Sequence, residues 1–320
     1  MKLLFTPPLR ADAAEWKARL DGMNLGYDIV LAADDEAVKL ELLDADAVFG
    51  WVSPEVLPLA GKLRWLQSPQ AGPTRGFYYD ELVSHPVVIC NPRGVYNDHI
   101  AQHIMMYVLA LSRGLPAYLD AQRQARWEGN APLTRYVDLT QASALIVGVG
   151  GIGQETSLRC QAFGMTVHGI DHRWEYETPG MQRHASDDLP DVAGDADFVI
   201  ATVPQTPETE GMFNRDVFSA MRSDAFFINI GRGATTRLDD LVTALDDGEI
   251  SGCALDVYET EPLPSTHPLW SKDNVILTPH VAVAGADNID ERWFQVLAEN
   301  AKRFAADEVL MNVVDKAMWY

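Results

Sequence analysis

The chain has 320 residues, 47% of them hydrophobic, a length and composition that predict two packed domains. The formal net charge is −21, from 46 acidic against 25 basic residues, so a nucleic-acid partner is not expected, because a polyanion would be repelled. No segment has the apolar length to span a bilayer and "MKLLFTPPLR" lacks the apolar region of a signal peptide, so a cytoplasmic protein with no membrane contact is expected.

The shortage of basic residues falls on lysine: 29 Asp and 17 Glu stand against 7 Lys. The carboxylates are dispersed and aromatics are plentiful, which sets the chain apart from an acidic disordered tail. Such a surface predicts a halophilic protein, since in molar salt the Debye length shrinks to about 3 Å and self-repulsion is screened. Cys90, Cys160 and Cys253 sit in apolar stretches with no paired spacing. They read as buried hydrophobes, and no metal site is predicted.

In chain order, "KLLF", "YDIV", "AVFG", "LRWLQ" and "VVIC" read as strands, with amphipathic helices in "ADAAEWKARLDG" and "DDEAVKLELLD". Residues 98–113 read as one long, largely buried helix. A second series follows, with strands at Ala144–Val147, Thr166–Ile170, Phe198–Val203, Ala225–Ile230, Gly252–Asp256 and Val275–Leu277. Helical stretches between them give the βαβ rhythm of a doubly wound parallel sheet. A last helix is predicted over roughly 286–306, returning to the first unit.

"VGVGGIG" places Gly148, Gly150 and Gly153 in the G-x-G-x-x-G spacing, after an apolar strand and before a helix, with Asp171 closing the next strand. That context makes it a dinucleotide fingerprint. Gly148 permits the turn, Gly150 lets the pyrophosphate approach the backbone, and Gly153 lets helix and strand pack closely. The helix start at Gly151 and Ile152 offers N–H groups to the phosphates. Asp171 is placed to accept from the adenosine ribose, which favours NAD. His172 and Arg173 follow it, and an arginine there can stack on adenine or pair with a 2′-phosphate. NADH and NADPH are therefore both predicted cofactors.

Three further candidates stand just past strand ends: Arg232 in "INIGRG", Glu261 in "ALDVYETEPL" and His280 in "TPHVA". The flanking glycines are expected to turn the chain sharply at the sheet edge, leaving Arg232 as anchor for a carboxylate. A histidine bonded to a carboxylate can pass a proton to a carbonyl oxygen as hydride reaches the carbon. An arginine fork can hold the adjacent carboxylate. Together these reduce a 2-keto acid to a 2-hydroxy acid.

With "LQSPQAG", "IAQH", "ADFVIATVPQTPETEGMFN" and "ENAKRF" added to these motifs, most of the chain resembles the D-isomer-specific 2-hydroxyacid dehydrogenases, particularly a halophilic archaeal member. The resemblance implies an α/β fold of two Rossmann-like domains. The cofactor domain, residues 99–283, is inserted in a discontinuous substrate domain, residues 1–98 plus 284–320, with hinges near 98–100 and 282–286. It implies a catalytic trio of Arg232, Glu261 and His280, and backbone N–H groups at Ala71 and Gly72 gripping the substrate carboxylate. It further implies Asp256 holding the nicotinamide carboxamide, Val203, Pro204 and Thr209 at the cofactor, and a homodimer joined through the cofactor domains. Trp51 is a candidate cover for an apolar R group. Three positions depart from the commoner pattern: Gln102 before His103, Pro73 after Ala71-Gly72, and the "DHR" at 171–173.

The neighbouring readings are narrower. Glu261 argues against a formate dehydrogenase, and a glycine loop starting at 148 argues against an L-lactate dehydrogenase. A glyoxylate/hydroxypyruvate reductase and a short-form phosphoglycerate dehydrogenase stay open within the same chemistry. An NAD-binding corepressor-like role is the alternative of a different class, and the complete trio weighs against it.

Overall fold

Apolar runs of three to five residues, buried on both faces, can only lie inside a sheet covered by helices on both sides. The computed structural model, which describes residues 1–72, 76–128, 136–174 and 177–318, holds two such sheets, both entirely parallel. They belong to two compact units, residues 1–95 with 287–320 and residues 96–286.

The first unit contains β1 (Lys2–Phe5), β2 (Asp28–Leu31), β3 (Ala47–Phe49), β4 (Trp65–Gln67) and β5 (Val88–Cys90), in the order β2-β1-β3-β4-β5. Helices α1 (Ala13–Gly22), α2 (Asp35–Glu41) and α3 (Asp80–Ser84) fall between its strands. One face of the sheet packs Trp16, Phe49 and Trp65 with Phe294, Leu297 and Ala301 of the last helix, α10 (Ile289–Ala305). The boundary near 96 keeps α4 (Asn97–Ser112) whole, and its Ile104, Tyr107, Val108 and Leu111 join the core of the second sheet.

That second sheet comprises β6 (Ser143–Val147), β7 (Thr166–Ile170), β8 (Met181–His184), β9 (Phe198–Ala201), β10 (Phe226–Asn229), β11 (Gly252–Leu255) and β12 (Val275–Leu277). The spatial order is β12-β11-β10-β9-β6-β7-β8, with β6 and β9 side by side where the winding reverses. Helices α5 (Leu115–Arg123), α6 (Gly151–Ala162), α7 (Leu189–Ala193), α8 (Arg215–Ala220) and α9 (Leu238–Asp246) complete the unit. Strand β8, "MQRH", has no apolar run to announce it; as an edge strand it has only one neighbour and stays half exposed. It is tied to β7 by His168 Nδ1 and His184 Nε2, 3.0 Å apart.

Register decides what this sheet can do. Ile170, Val147, Ala201, Asn229, Leu255 and Leu277 are paired in one row across six strands. The residues that follow, Asp171, Gly148, Thr202, Ile230, Asp256 and Thr278, therefore leave the sheet along one carboxyl edge, where ligands of open α/β sheets bind. The three cysteines are buried. Burial pushes the thiols of Cys90 and Cys160 up to about 12, and that of Cys253 upward as well, so they pack as small apolar groups.

Candidate active site

At the end of β6 the chain turns through Gly148 at φ +97°, where a Cβ would stand 2.8 Å from the Val203 nitrogen. A Cβ on Gly153 would stand 2.2 Å from the Gly148 carbonyl oxygen, so only glycine lets α6 start this close to the strand. Gly150 differs: nothing lies within 4 Å of the Cβ it lacks. It is the N-cap of α6 and supplies no side-chain cap, leaving the first-turn N–H groups of Gly151, Ile152 and Gly153 to an anion. An open, uncapped and glycine-lined helix start fits a dinucleotide pyrophosphate.

Asp171 accepts from Val149 N at 2.6 Å through one oxygen and from Arg173 N at 2.8 Å through the other. It thereby joins the glycine loop to the "DHR" turn and keeps about two lone-pair positions for a ribose. Arg173 Nε donates to His172 Nε2 at 3.2 Å. Val203 lies between the glycine loop and the Arg232 turn, in close approach to both Gly148 and Gly231. Thr209 accepts from Thr206 N at 2.8 Å and donates to the Pro204 carbonyl at 2.6 Å, so its hydroxyl shapes the loop after β9.

The arginine turn is built differently from the sharp glycine turn expected. Arg232 is extended, φ −140° and ψ 140°, and neither Gly231 nor Gly233 has a positive φ. Those glycines serve close approach: a Cβ on Gly231 would stand 2.5 Å from the Val203 carbonyl oxygen, and one on Gly233 would stand 1.9 Å from the carbonyl of Tyr258. Asn229, 0% exposed, shapes the turn by accepting from Gly231 N at 2.9 Å and donating to the Arg232 carbonyl and to Thr236 Oγ1. Sequence reasoning missed Asn229, although a lone amide ending "FFIN" was the signal. Arg232 Nη1 donates to the Gly231 carbonyl at 2.7 Å. Burial pushes its pKa down, opposed by the nearby charge of Glu261.

Glu261 accepts from Tyr258 N through Oε1 at 3.0 Å and faces His280 Nδ1 through Oε2 at 2.8 Å. A carboxylate accepts only, so His280 carries a proton on Nδ1 and presents Nε2 outward. The His280 backbone is left-handed, φ +54°, a conformation that costs about 1 kcal/mol or more for a non-glycine residue and must be held from outside. Asp256, 1% exposed, supplies that hold by accepting from Val281 N at 2.9 Å and Ala282 N at 3.1 Å, with Thr278 Oγ1 as third donor. About one lone-pair position of Asp256 is left for a cofactor amide.

The remaining candidates lie in the first unit. The Ala71 carbonyl accepts from Asn91 Nδ2 at 2.9 Å, and Gly72 follows it; Pro73 lies outside the described residues. Trp51 packs tilted against Phe77 and edge-on to Tyr79, with centroids 4.9 and 6.0 Å away, its backbone clasped by the Thr6 hydroxyl. Trp51, Phe77, Trp293, Phe49 and Gln70 line a cavity of about 500 Å³ beyond the carboxyl ends of β1, β3 and β4. Arg10, also on its wall, is fixed by Asp12 and Asp290 and lies over the rings of Trp16 and Trp293.

A doubly wound sheet with a glycine-lined helix start and an Arg, Glu and His at one strand edge defines a dinucleotide-dependent oxidoreductase. The family profile described as "D-isomer specific 2-hydroxyacid dehydrogenase, NAD binding domain" matches residues 105–282. The chain belongs to that family. It is 34% identical over 244 residues to a glyoxylate reductase of Thermofilum pendens, covering 74% of this chain and 70% of that protein. It is 27% identical over 320 residues to a D-3-phosphoglycerate dehydrogenase of Methanocaldococcus jannaschii, covering 98% of this chain but only 59% of that protein's length. Among solved structures, a D-isomer-specific 2-hydroxyacid dehydrogenase from Xanthobacter autotrophicus in complex with NADPH and MES superposes with a TM-score of 0.82 at 26% identity, covering 100% of this chain and 99% of that one.

Proposed function

We propose that this protein reduces 2-keto acids to D-2-hydroxy acids with NADH or NADPH, and catalyses the reverse oxidation. The observation that carries the reading is the His280–Glu261 pair at 2.8 Å, at the same sheet edge as the glycine loop and Arg232. Bound, the nicotinamide supplies or accepts the hydride. His280 Nε2 gives its proton to the substrate carbonyl oxygen, and Glu261 holds the imidazole and balances its charge. Arg232 binds the substrate carboxylate and polarises the adjacent carbonyl. In oxidation His280 takes the hydroxyl proton instead. The test is oxidation of NADH or NADPH by a 2-keto acid with chiral analysis of the product: the D-enantiomer is expected, and an L or racemic product overturns the reading.

Residues 96–286 act as the cofactor domain in this proposal, and the unit of 1–95 with 287–320 as the substrate domain. The pyrophosphate lies against Gly148 to Gly153, and Asp256 gives its remaining lone pair to the carboxamide. Val203, Pro204 and Thr209 form the loop beside the nicotinamide. The N–H groups of Ala71 and Gly72 meet the substrate carboxylate. Trp51 is the proposed cover of an apolar R group, which favours apolar side chains over glyoxylate, although relatives named glyoxylate reductase keep small substrates as the second reading.

At the adenosine end Asp171 favours NAD, while His172 and Arg173 stand ready for a 2′-phosphate. Asp171→Ala frees Arg173 N and removes the ribose acceptor, so the kcat/KM ratio of NADPH to NADH should rise about tenfold or more. An unchanged ratio would take Asp171 out of cofactor choice.

The protein is proposed to work in the cytoplasm in molar salt, as a homodimer. Leu109, Met106, Leu115 and Leu119 on α4 and α5, with Trp127 and Trp270, leave an exposed apolar face on the second unit. Light scattering at micromolar protein in molar KCl should give twice the chain mass; a monomer mass contradicts it.

A further inference from the structure

The acid–base histidine is held by a longer structure than its bond to Glu261. His280 has its side chain 52% exposed, so packing fixes it weakly. Its place depends on the backbone of 278–282, which Asp256 grips at Val281 N, Ala282 N and Thr278 Oγ1. Thr278 Oγ1 also meets Tyr107 Oη, and His103 Nε2 lies 2.9 Å from Tyr107 Oη and 3.2 Å from Thr278 Oγ1. His103 and Tyr107 stand one turn apart on α4, so their side chains share a face of the helix.

The protons in this chain can be ordered in only one way. Asp256 accepts only. Thr278 has a single hydroxyl proton and gives it to Asp256, so toward Tyr107 it accepts. Tyr107 then gives its own proton to Thr278 and can only accept from His103. His103 must therefore carry its proton on Nε2. Every donor points toward the Asp256 carboxylate, and His103 and Tyr107 reach Thr278 from a helix more than 170 residues before it in sequence. Burial lowers the pKa of His103, with Asp256 opposing, and raises that of Tyr107, which favours the neutral form of each.

We propose that His103 and Tyr107 are positioning residues for His280, fixing through Thr278 and Asp256 the strained segment that aims its Nε2 at the substrate. The inference rests on the proposed acid–base role of His280. A bond removed here should loosen the aim of His280 and leave the pyrophosphate and adenosine contacts intact, because the glycine loop and Asp171 take no part in the chain and Asp256 keeps its own bonds to Val281 N and Ala282 N.

Tyr107→Phe removes one oxygen and keeps the ring. It should lower kcat about tenfold or more while leaving the KM for the keto acid and the Kd for the dinucleotide within about threefold. Thr278→Val should do the same, Thr278→Ser should recover most of the loss, and His103→Gln, which keeps a donor near the Nε2 position, should fall less than His103→Leu. A second readout needs no turnover: the downfield proton resonance of the His280 Nδ1–H bond to Glu261, identified by its loss in Glu261→Gln, should shift or broaden in Tyr107→Phe. If no keto acid is reduced but that resonance still responds, the positioning chain stands while the proposed substrate falls. Wild-type kcat with an unchanged resonance in Tyr107→Phe would overturn the inference, as would parallel losses of kcat and dinucleotide affinity. Should Thr278→Val fail to fold, Tyr107→Phe decides alone.

Discussion

Arg232→Ala is expected to lower kcat/KM for a 2-keto acid by about 10²–10⁴-fold, with dinucleotide affinity close to that of the unaltered protein. The guanidinium is partly buried at the sheet edge, and one of its bonds goes to its neighbour's carbonyl. Removing it deletes the carboxylate anchor and a positive charge beside the carbonyl, in a site where both act at low local dielectric. Arg232→Lys should recover only part of the loss, because a point charge does not reproduce the two-pronged geometry. Steady-state kinetics with a saturating dinucleotide checks it, and a fall below about tenfold in Arg232→Ala would contradict the role.

The second large effect is on the fold around the site. Gly233→Ala places a Cβ 1.9 Å from the Tyr258 carbonyl carbon and oxygen, and main chain cannot step aside as a flexible side chain can. The turn bearing Arg232 and the Tyr258 segment, whose N–H holds Glu261, must move apart. A loss of about 3 kcal/mol or more is expected from such a clash, read as a lower urea or thermal midpoint. Gly150→Ala is the contrast, since its Cβ would meet nothing. Stability there should stay within about 1 kcal/mol, while dinucleotide affinity falls because the methyl stands where the phosphates would lie. Equal stability losses in the two variants would contradict this division of roles between the glycines.

How much of this was legible depended on how local each signal is. The parallel sheets follow from apolar runs separated by helical stretches, and β10 and β11 were readable to within a residue or two because both their faces are buried. Strand β8 was not, since an edge strand of Met, Gln, Arg and His carries no periodic apolar signal. Arg232, Glu261 and His280 were legible as polar residues just past strand ends. The reason for the glycines beside Arg232 was not: the motif suggests a turn, and only the contacts with Val203 and Tyr258 reveal close approach. The same holds for Asp256, whose partners at 278–282 and, through Thr278, on α4 are distant in sequence. Its carboxylate stabilises the histidine segment, a role that no local pattern encodes.

The acidic surface and the site meet in one measurement: initial rates of NADH and NADPH oxidation with a panel of 2-keto acids, from dilute buffer to molar KCl. Rates that rise with salt, keto acids with apolar side chains turned over at least as well as glyoxylate or hydroxypyruvate, and measurable use of both dinucleotides are the predicted result. Tight dinucleotide binding with no turnover of any 2-keto acid at any salt concentration would contradict the proposed reaction and leave a nucleotide-binding protein without this chemistry.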